Sequence, residues 1–551
     1  MQDFARHPDL PATLGDLPYA SLGEMLAKTV SRYPQQPAFH NMGGSLSYRL
    51  LDRLSAQFAD YLASSLKLQP GDRVAVMMPN LMQYPVALYG ILRAGLVVVN
   101  VNPLYTVREL HHQLLDSGAA AIVVVANFAA VVEQARAGTP LKHVIVTEVG
   151  DMLPAPKRWL VNAVVKHVKK MVPPYRLSGA VAFRRALAAG QAGRWRDAAV
   201  QADDLAILQY TGGTTGLSKG AMLSHRNLLA NVEQARLVLG KELRDGEAVV
   251  ATPLPLYHVL ALTVNCFLVN RIGGASLLIT NPRDIPGMVA ELGKYPVNAF
   301  IGVNTLFNAL VHNAEFLKLD FSGWKVSIGG GAAVQRAVAD AWQKVTGLTL
   351  LEGYGLTETS PLVSVNSLAN TAYSGTVGLP VPDTEVRLRN DVGEDVADGE
   401  PGEVCVRGPQ VMSGYWQRPE ETAKVFHADG FFATGDIGVR TADGMLKLVD
   451  RKKDMVLVSG FNVYPNEIED VVAQHPGVRE VACIGVPDER SGEAVKIVVV
   501  RKDPALQADE LLRFCRDNLT AYKVPRHVEF RNELPKSNVG KILRRELRQP
   551  A

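Results

Sequence analysis

Between Tyr210 and Gly220 the chain reads Tyr-Thr-Gly-Gly-Thr-Thr-Gly-Leu-Ser-Lys-Gly, directly after the apolar run Leu205 to Leu208. Glycines let backbone N–H groups approach an anion closely, threonine hydroxyls add donors, and Lys219 adds positive charge. Such a loop can cradle phosphate. It is not the P-loop of ordinary ATPases, which needs Gly-Lys followed by Ser or Thr, because Lys219 stands between Ser218 and Gly220. Gly216 to Gly220 also fits the serine-hydrolase pattern G-x-S-x-G, but that elbow needs a strand ending at the serine and a helix after it. Here a Gly/Thr loop precedes Ser218 and the short apolar run Ala221-Met222-Leu223 follows, so the hydrolase reading is set aside. Gly353-Tyr354-Gly355 begins like a dinucleotide fingerprint, yet Glu358 occupies the place of its third glycine.

The elements that must position this loop read as α/β layering. Apolar strand-like runs (Arg73 to Met78, Leu96 to Val101, Ala121 to Val125, His143 to Thr147, Ala275 to Thr280) alternate with amphipathic segments such as Leu51 to Leu66 and Tyr84 to Leu92. Parallel sheets covered by helices are expected. After Asp450 the texture changes. The charged run Arg451-Lys452-Lys453-Asp454 leads to a short strand (Met455 to Ser459), a helix opened by Pro465 and Asn466, strands Val481 to Val486 and Val495 to Val500, and a helix Ala508 to Asn518. The expected organisation is a large N-terminal domain over 1–449, a hinge at 450–454 and a small mobile α+β domain over 455–551.

The 551 residues, 47 % hydrophobic, suffice for a large core and exclude wholesale disorder. The 58 basic and 55 acidic residues leave a charge of +3, too small for nucleic-acid binding driven by bulk charge. Cys266, Cys405, Cys483 and Cys515 form no C-x-x-C pair or zinc spacing, as in a reduced, cytoplasmic protein. No secretory signal or membrane-spanning run is read. One segment stands apart. From Lys157 to Val172, Leu160, Val161, Val164, Val165, Val168, Met171 and Val172 share a helical stripe opposite Lys166, Lys169 and Lys170, between Pro154, Pro156, Pro173 and Pro174. It is either a surface helix packed on its own domain or a helix lying against an anionic membrane, peripheral at the inner face.

Tyr210 to Leu223 resembles the signature loop of the adenylate-forming superfamily. Further matches follow in that family's order: Gly329-Gly330-Gly331-Ala332, Tyr354-Gly355-Leu356-Thr357-Glu358, Thr434-Gly435-Asp436, Asp450 to Asp454, and Pro535 to Lys541. The resemblance covers nearly the whole chain, and Val101 to Leu110, Asn281 to Gly287 and Val458 to Asp470 are similar to bacterial long-chain fatty acid CoA ligases.

That resemblance implies ATP-dependent ligation of medium- to long-chain fatty acids to coenzyme A through an acyl-adenylate, with Mg²⁺. It implies Lys541 as the leading catalytic residue, on the carboxylate and α-phosphate, and Glu358 as the metal ligand. Thr211, Gly212, Gly213, Thr214, Thr215, Gly216 and Lys219 would hold the β- and γ-phosphates, Thr214 being counted with the catalytic residues. Tyr354 would lie on the adenine face, Gly331 and Ala332 along its edge, Asp436 and Arg451 on the ribose, with Gly355 and Thr357 from the same motif. Lys453 would be the pivot about which the small domain rotates, bringing in the loop Ser459-Gly460-Phe461. Pro255 to Leu262 with Val303 to Leu306 resemble acyl-site segments, where His258 either sits at the carboxylate end or is a structural histidine. Rival readings on the same fold are a fatty acyl-AMP ligase and an aryl-CoA ligase; a non-catalytic acyl or nucleotide binder should lack Lys541, Glu358 or Lys219.

Overall fold

The computed structural model describes residues 4, 7–211, 218–459, 461–488, 491–537 and 540–548. Seven strands form one sheet in the order Val181–Ala182, His143–Thr147, Ala121–Val125, Arg73–Met77, Val97–Asn100, Leu205–Tyr210 and Gly220–Ser224. Neighbours are parallel except the last pair. A second sheet of nine strands is parallel through Val326–Gly330, Ala299–Gly302, Val249–Thr252 and Ala275–Leu278, with antiparallel pairs at its edges.

Strands buried on both faces need continuous apolar runs, and each expected run contains an observed strand. Alternation along Arg73–Met77 divides the interior: Val74 and Val76 join the main core, while Ala75 and Met77 face a second cluster. The helix Gln83–Arg93 is buried from Gln83 to Leu92. A methyl group at Gly90 would come within 2.7 Å of Phe58 Cδ1, so this glycine sets the close approach of the helix Tyr48–Asp60. The expected helix to Leu66 departs from the α form at Tyr61–Ser65, a wider i→i+5 turn.

An antiparallel sheet of Glu385–Arg389, Gly402–Arg407, Phe432–Arg440 and Leu446–Arg451 completes the large part. Beyond it, Val456–Val458, Phe461–Val463, Val478–Asp488, Gly492–Arg501 and His527–Arg531 build a smaller sheet. Helices Pro465–Ala473 and Ala508–Asn518 contribute Ile468, Val472, Leu511 and Cys515 to the separate core beneath it. The chain is an α/β protein with a large N-terminal part and a smaller α+β C-terminal part.

The expected continuous helix from 157 to 172 is instead the helix Lys157–Ala163, a wider turn Val164–Val168, and a left-handed Lys170 at φ 50°. Widening by one residue per turn rotates the later side chains off the expected stripe. Val161 packs on the main core and Asn162 accepts from Gly150 N–H at 2.7 Å. Trp159, Leu160, Val168 and Met171 remain 63, 65, 73 and 53 % exposed. Among the described residues no helix is long and apolar enough to cross a membrane.

Candidate active site

The loop expected to cradle phosphate leaves the sheet between two antiparallel strands, with Tyr210 opposite Gly220. A strand follows it where a hydrolase elbow would need a helix. Gly212, Gly213, Thr214, Thr215 and Gly216 lie outside the described residues. At the base, Thr211 N–H donates to Lys219 O at 2.9 Å and Ser218 Oγ donates to Thr211 O at 2.5 Å. The helix Val107–Ser117 braces it: His112 Nε2 lies 3.1 Å from Ser218 O, and Asp116 accepts from Tyr210 Oη at 2.6 Å.

Lys219 pairs with Glu421, and its Nζ stands 5.0 Å from the centre of the Tyr415 ring. Tyr415 arrives on a segment that runs beside the strand after the loop, with Met222 N–H on Gly414 O at 2.9 Å and Trp416 N–H on Gly220 O at 2.8 Å. Its hydroxyl donates to Glu358 Oε1 at 2.8 Å. Burial raises the Glu358 pKa, a shift opposed by the Tyr415 bond and the charge of Arg451. Among the described residues Glu358 has no ion-pair partner, so a cation would relieve a desolvated carboxylate. No group of three or more His, Cys, Asp or Glu residues capable of holding a metal exists among the described residues. A lone buried carboxylate such as Glu358 is a donor that Mg²⁺ accepts, since that ion is held by one or two carboxylates.

Tyr354 is the penultimate residue of the strand Leu350–Gly355, and its hydroxyl donates to Asp436 Oδ2 at 2.8 Å. Asp436 lies opposite Arg451 on neighbouring strands, and Arg451 Nε is 3.2 Å from Asp436 Oδ1. Burial raises the Asp436 pKa against the pull of Arg451, Tyr354 and Lys541. Gly355 is pressed against the backbone of Pro361, and Thr357 opens the short turn that carries Glu358. Ala332 is exposed just beyond the strand Val326–Gly330. Arg451, Lys452 and Lys453 line a pocket with Thr434 and Gly435.

Lys541 enters this cleft from the small part. Its segment is tied down by Ser537 N–H on Lys541 O at 2.7 Å and by Thr305 Oγ1 donating to Gly540 O at 2.9 Å. A methyl group built on Gly331 would lie 3.3 Å from Lys541 Cε, which puts the lysine directly over that glycine. Enclosure by the protein, then repulsion from Arg451, lowers the Lys541 pKa to about 8, with Asp436 opposing. His258 lies close enough to feel that charge. Burial first and Lys541 second push its pKa down to about 4, so its imidazole is neutral at physiological pH.

The structure thus brings Glu358, Tyr354, Asp436, Arg451, Gly331, His258 and Lys541 into one cleft, with Lys219 joined to it through Tyr415. Ser459, at φ 52°, is held in the small sheet by its N–H on Ser491 O at 2.8 Å. Gly460 lies outside the described residues.

A family model for AMP-binding enzymes matches residues 26–416, and one for the AMP-binding enzyme C-terminal domain matches 467–541. The chain belongs to the AMP-binding enzyme family. It is 60 % identical to a long-chain-fatty-acid--CoA ligase of Salmonella typhimurium over 99 % of this chain and 97 % of that protein. A ligase of the same description from Haemophilus influenzae is 55 % identical over 96 % of this chain and 94 % of that one. Among solved structures, a benzoate CoA ligase from Burkholderia xenovorans superposes with a TM-score of 0.83 at 26 % identity, covering 96 % of this chain and all of that one.

Two residues of this AMP-binding enzyme escaped sequence reasoning. Tyr415 and Glu421 belong to Gly-Tyr-Trp-Gln-Arg-Pro-Glu-Glu, a stretch dense in aromatic and charged groups beside a glycine. That density was the available signal.

Proposed function

We infer that this protein joins long-chain fatty acids to coenzyme A at the expense of ATP, through an acyl-adenylate. The observation that supports this most strongly is near full-length identity of 60 % to a long-chain-fatty-acid--CoA ligase, together with a lysine of the small part seated in the cleft.

A carboxylate resists attack by a thiol because oxide is a poor leaving group. In the first half-reaction the fatty carboxylate oxygen attacks the α-phosphorus of ATP, and the bond from that phosphorus to pyrophosphate breaks. Both reactants are anions, so their approach must be offset by fixed positive charge. Lys541 supplies it at the α-phosphate, and Lys219 with Thr211 and the Gly212 to Gly216 loop, Thr214 included, takes the β- and γ-phosphates. Lys219 must then exchange its partner Glu421 for phosphate. Glu358 would hold Mg²⁺, which when bound neutralises phosphate charge. Tyr354 offers its ring to adenine with Gly331, Ala332, Gly355 and Thr357 around it, and Asp436 and Arg451 face the ribose. Asp436 keeps lone pairs for ribose hydroxyls beyond those used by Tyr354 and Arg451. His258, neutral, can donate to the carboxylate without adding charge.

In the second half-reaction the CoA thiolate attacks the acyl carbon, the C–S bond forms and AMP leaves. Lys541 fills the cleft as it stands, so thiol access requires the small domain (455–551) to turn about Lys453 and bring Ser459-Gly460-Phe461 to the cleft. Trp159, Leu160, Val168 and Met171 expose apolar area beside Lys157, Lys166, Lys169 and Lys170. That combination suits peripheral attachment to an anionic membrane from which fatty acid is drawn. The deciding experiment is ATP-dependent thioester synthesis across carboxylic acids from acetate to oleate: activity rising toward the long chains is expected, and activity confined to acetate or aryl acids would overturn the reading.

A further inference from the structure

Arg544 lies three residues beyond Lys541 and is not needed for any step above. Its guanidinium nonetheless holds three side chains by hydrogen bonds. Nε and Nη2 grip Glu469 at 3.0 and 2.8 Å, Nη2 also reaches Asn466 Oδ1 at 2.5 Å, and Nη1 donates to Asp450 Oδ1 at 2.9 Å. Asp454 Oδ2 stands 3.7 Å away and is also paired to Arg548 at 3.2 Å. Asp450 is the more telling partner. Its side chain is 1 % exposed, and its second oxygen accepts Asn466 N–H at 2.8 Å.

These partners come from both sides of Lys453. Asp450 belongs to the strand Leu446–Arg451 of the large part, where it pairs with Ile437. Glu469 and Asn466 belong to the helix Pro465–Ala473 of the small part, and Arg544 opens the short helix Arg544–Leu547. A planar fork with five donors is the side chain suited to bind several acceptors at fixed angles. Within the small part, Arg544 and Glu469 fix the position of the Lys541 segment on the helix. Across the pivot, Asp450 fixes that assembly to the large part. Any turn of the small part about Lys453 must separate the buried Asp450 carboxylate from Arg544 and from Asn466 N–H, leaving it only the Arg451 N–H at 2.7 Å from its own strand, and a buried carboxylate that loses its charged partner is strongly disfavoured.

We propose that Arg544, through Asp450, is the positioning residue that latches Lys541 into the adenylating arrangement, and that release of this pair is the step that frees the small domain to turn. This rests on the ligase reading. The test is Asp450→Asn, which keeps the shape and the acceptor for Asn466 N–H but removes the charge facing Arg544. Two rates are measured on purified enzyme of unchanged circular dichroism: ATP–pyrophosphate exchange with oleate, and oleoyl-CoA formation from supplied oleoyl-adenylate and CoA. Exchange is expected to fall at least fivefold while thioester formation from the adenylate stays within twofold or rises. Arg544→Lys, which keeps the charge and loses the fork, should split the two rates in the same direction. A merely structural role would lower both rates together, and equal losses in Asp450→Asn overturn the latch. Wild-type enzyme that exchanges pyrophosphate but forms no thioester would overturn the ligase reading instead.

Discussion

Lys541 lies over Gly331, a glycine at φ 77° whose missing side chain is what lets the lysine reach the cleft floor: a methyl group there would stand 3.3 Å from Cε and 3.7 Å from Nζ. Alanine at 331 would meet two penalties, a left-handed backbone that disfavours any L side chain by about 1–2 kcal/mol and a contact tight enough to push the lysine aside. Gly331→Ala should therefore slow pyrophosphate exchange by an order of magnitude or more, on the rule that about 1.4 kcal/mol is tenfold. Thioester formation from supplied acyl-adenylate should fall less than exchange, because on the proposed turn of the small domain Lys541 no longer lies over this glycine, and only the glycine's contact with the adenine remains to be disturbed. Exchange at the wild-type rate would show that Lys541 does not act over this glycine.

The depressed pKa of Lys541, about 8, gives adenylation a pH signature. The ammonium is the form that offsets phosphate charge, so the unliganded enzyme is competent below that value and loses competence as pH rises through it. The kcat/KM for ATP in pyrophosphate exchange should fall about tenfold per pH unit above the break. The break in kcat should lie higher, since bound phosphate stabilises the ammonium. CoA attack gains thiolate with rising pH and runs the other way, so the half-reactions must be read separately. A flat exchange profile to pH 10 would remove Lys541 from this role.

Trp159 offers its own reporter for membrane attachment, being 63 % exposed beside Leu160. Vesicles containing anionic lipid should shift its fluorescence to the blue, with binding weakened by salt because screening reduces the contribution of Lys166, Lys169 and Lys170. Changing Trp159 and Leu160 together to serine removes two apolar anchors worth about 1.5–3 kcal/mol each when buried, and should weaken binding at least tenfold. Equal binding to neutral and anionic vesicles would argue that this surface does another job.

The strands around the cleft were legible in the sequence because a buried parallel strand must be a run of apolar residues. The wide turn at Val164–Val168 was not, because a stripe drawn at 3.6 residues per turn carries no information on where the helix loosens. Nor were the pairings that finish the site. Glu421 meets Lys219 from 202 positions away, Tyr415 reaches Glu358 across 57, and Arg544 finds Asp450 across 94. Each is an ordinary surface residue type whose partner only the folded chain supplies.

The proposed pivot at Lys453 can be tested through backbone freedom alone. Asp454 N–H donates to Arg451 O at 2.9 Å, which makes Lys452 and Lys453 the central residues of a turn between the two parts. Proline at 453 fixes φ there and restricts the residue before it, so the turn loses the torsional range that a domain rotation has to use. With Lys541 already in the cleft, Lys453→Pro should leave acyl-AMP formation nearly intact and slow thioester formation at least tenfold. Lys453→Ala separates the two properties of the side chain: it removes the ammonium that lines the pocket with Arg451 but keeps φ free, so thioester formation should stay close to wild type. If proline and alanine cost the second half-reaction equally, the lysine charge and not the hinge is what matters; if proline lowers both half-reactions by the same factor, the pivot lies elsewhere.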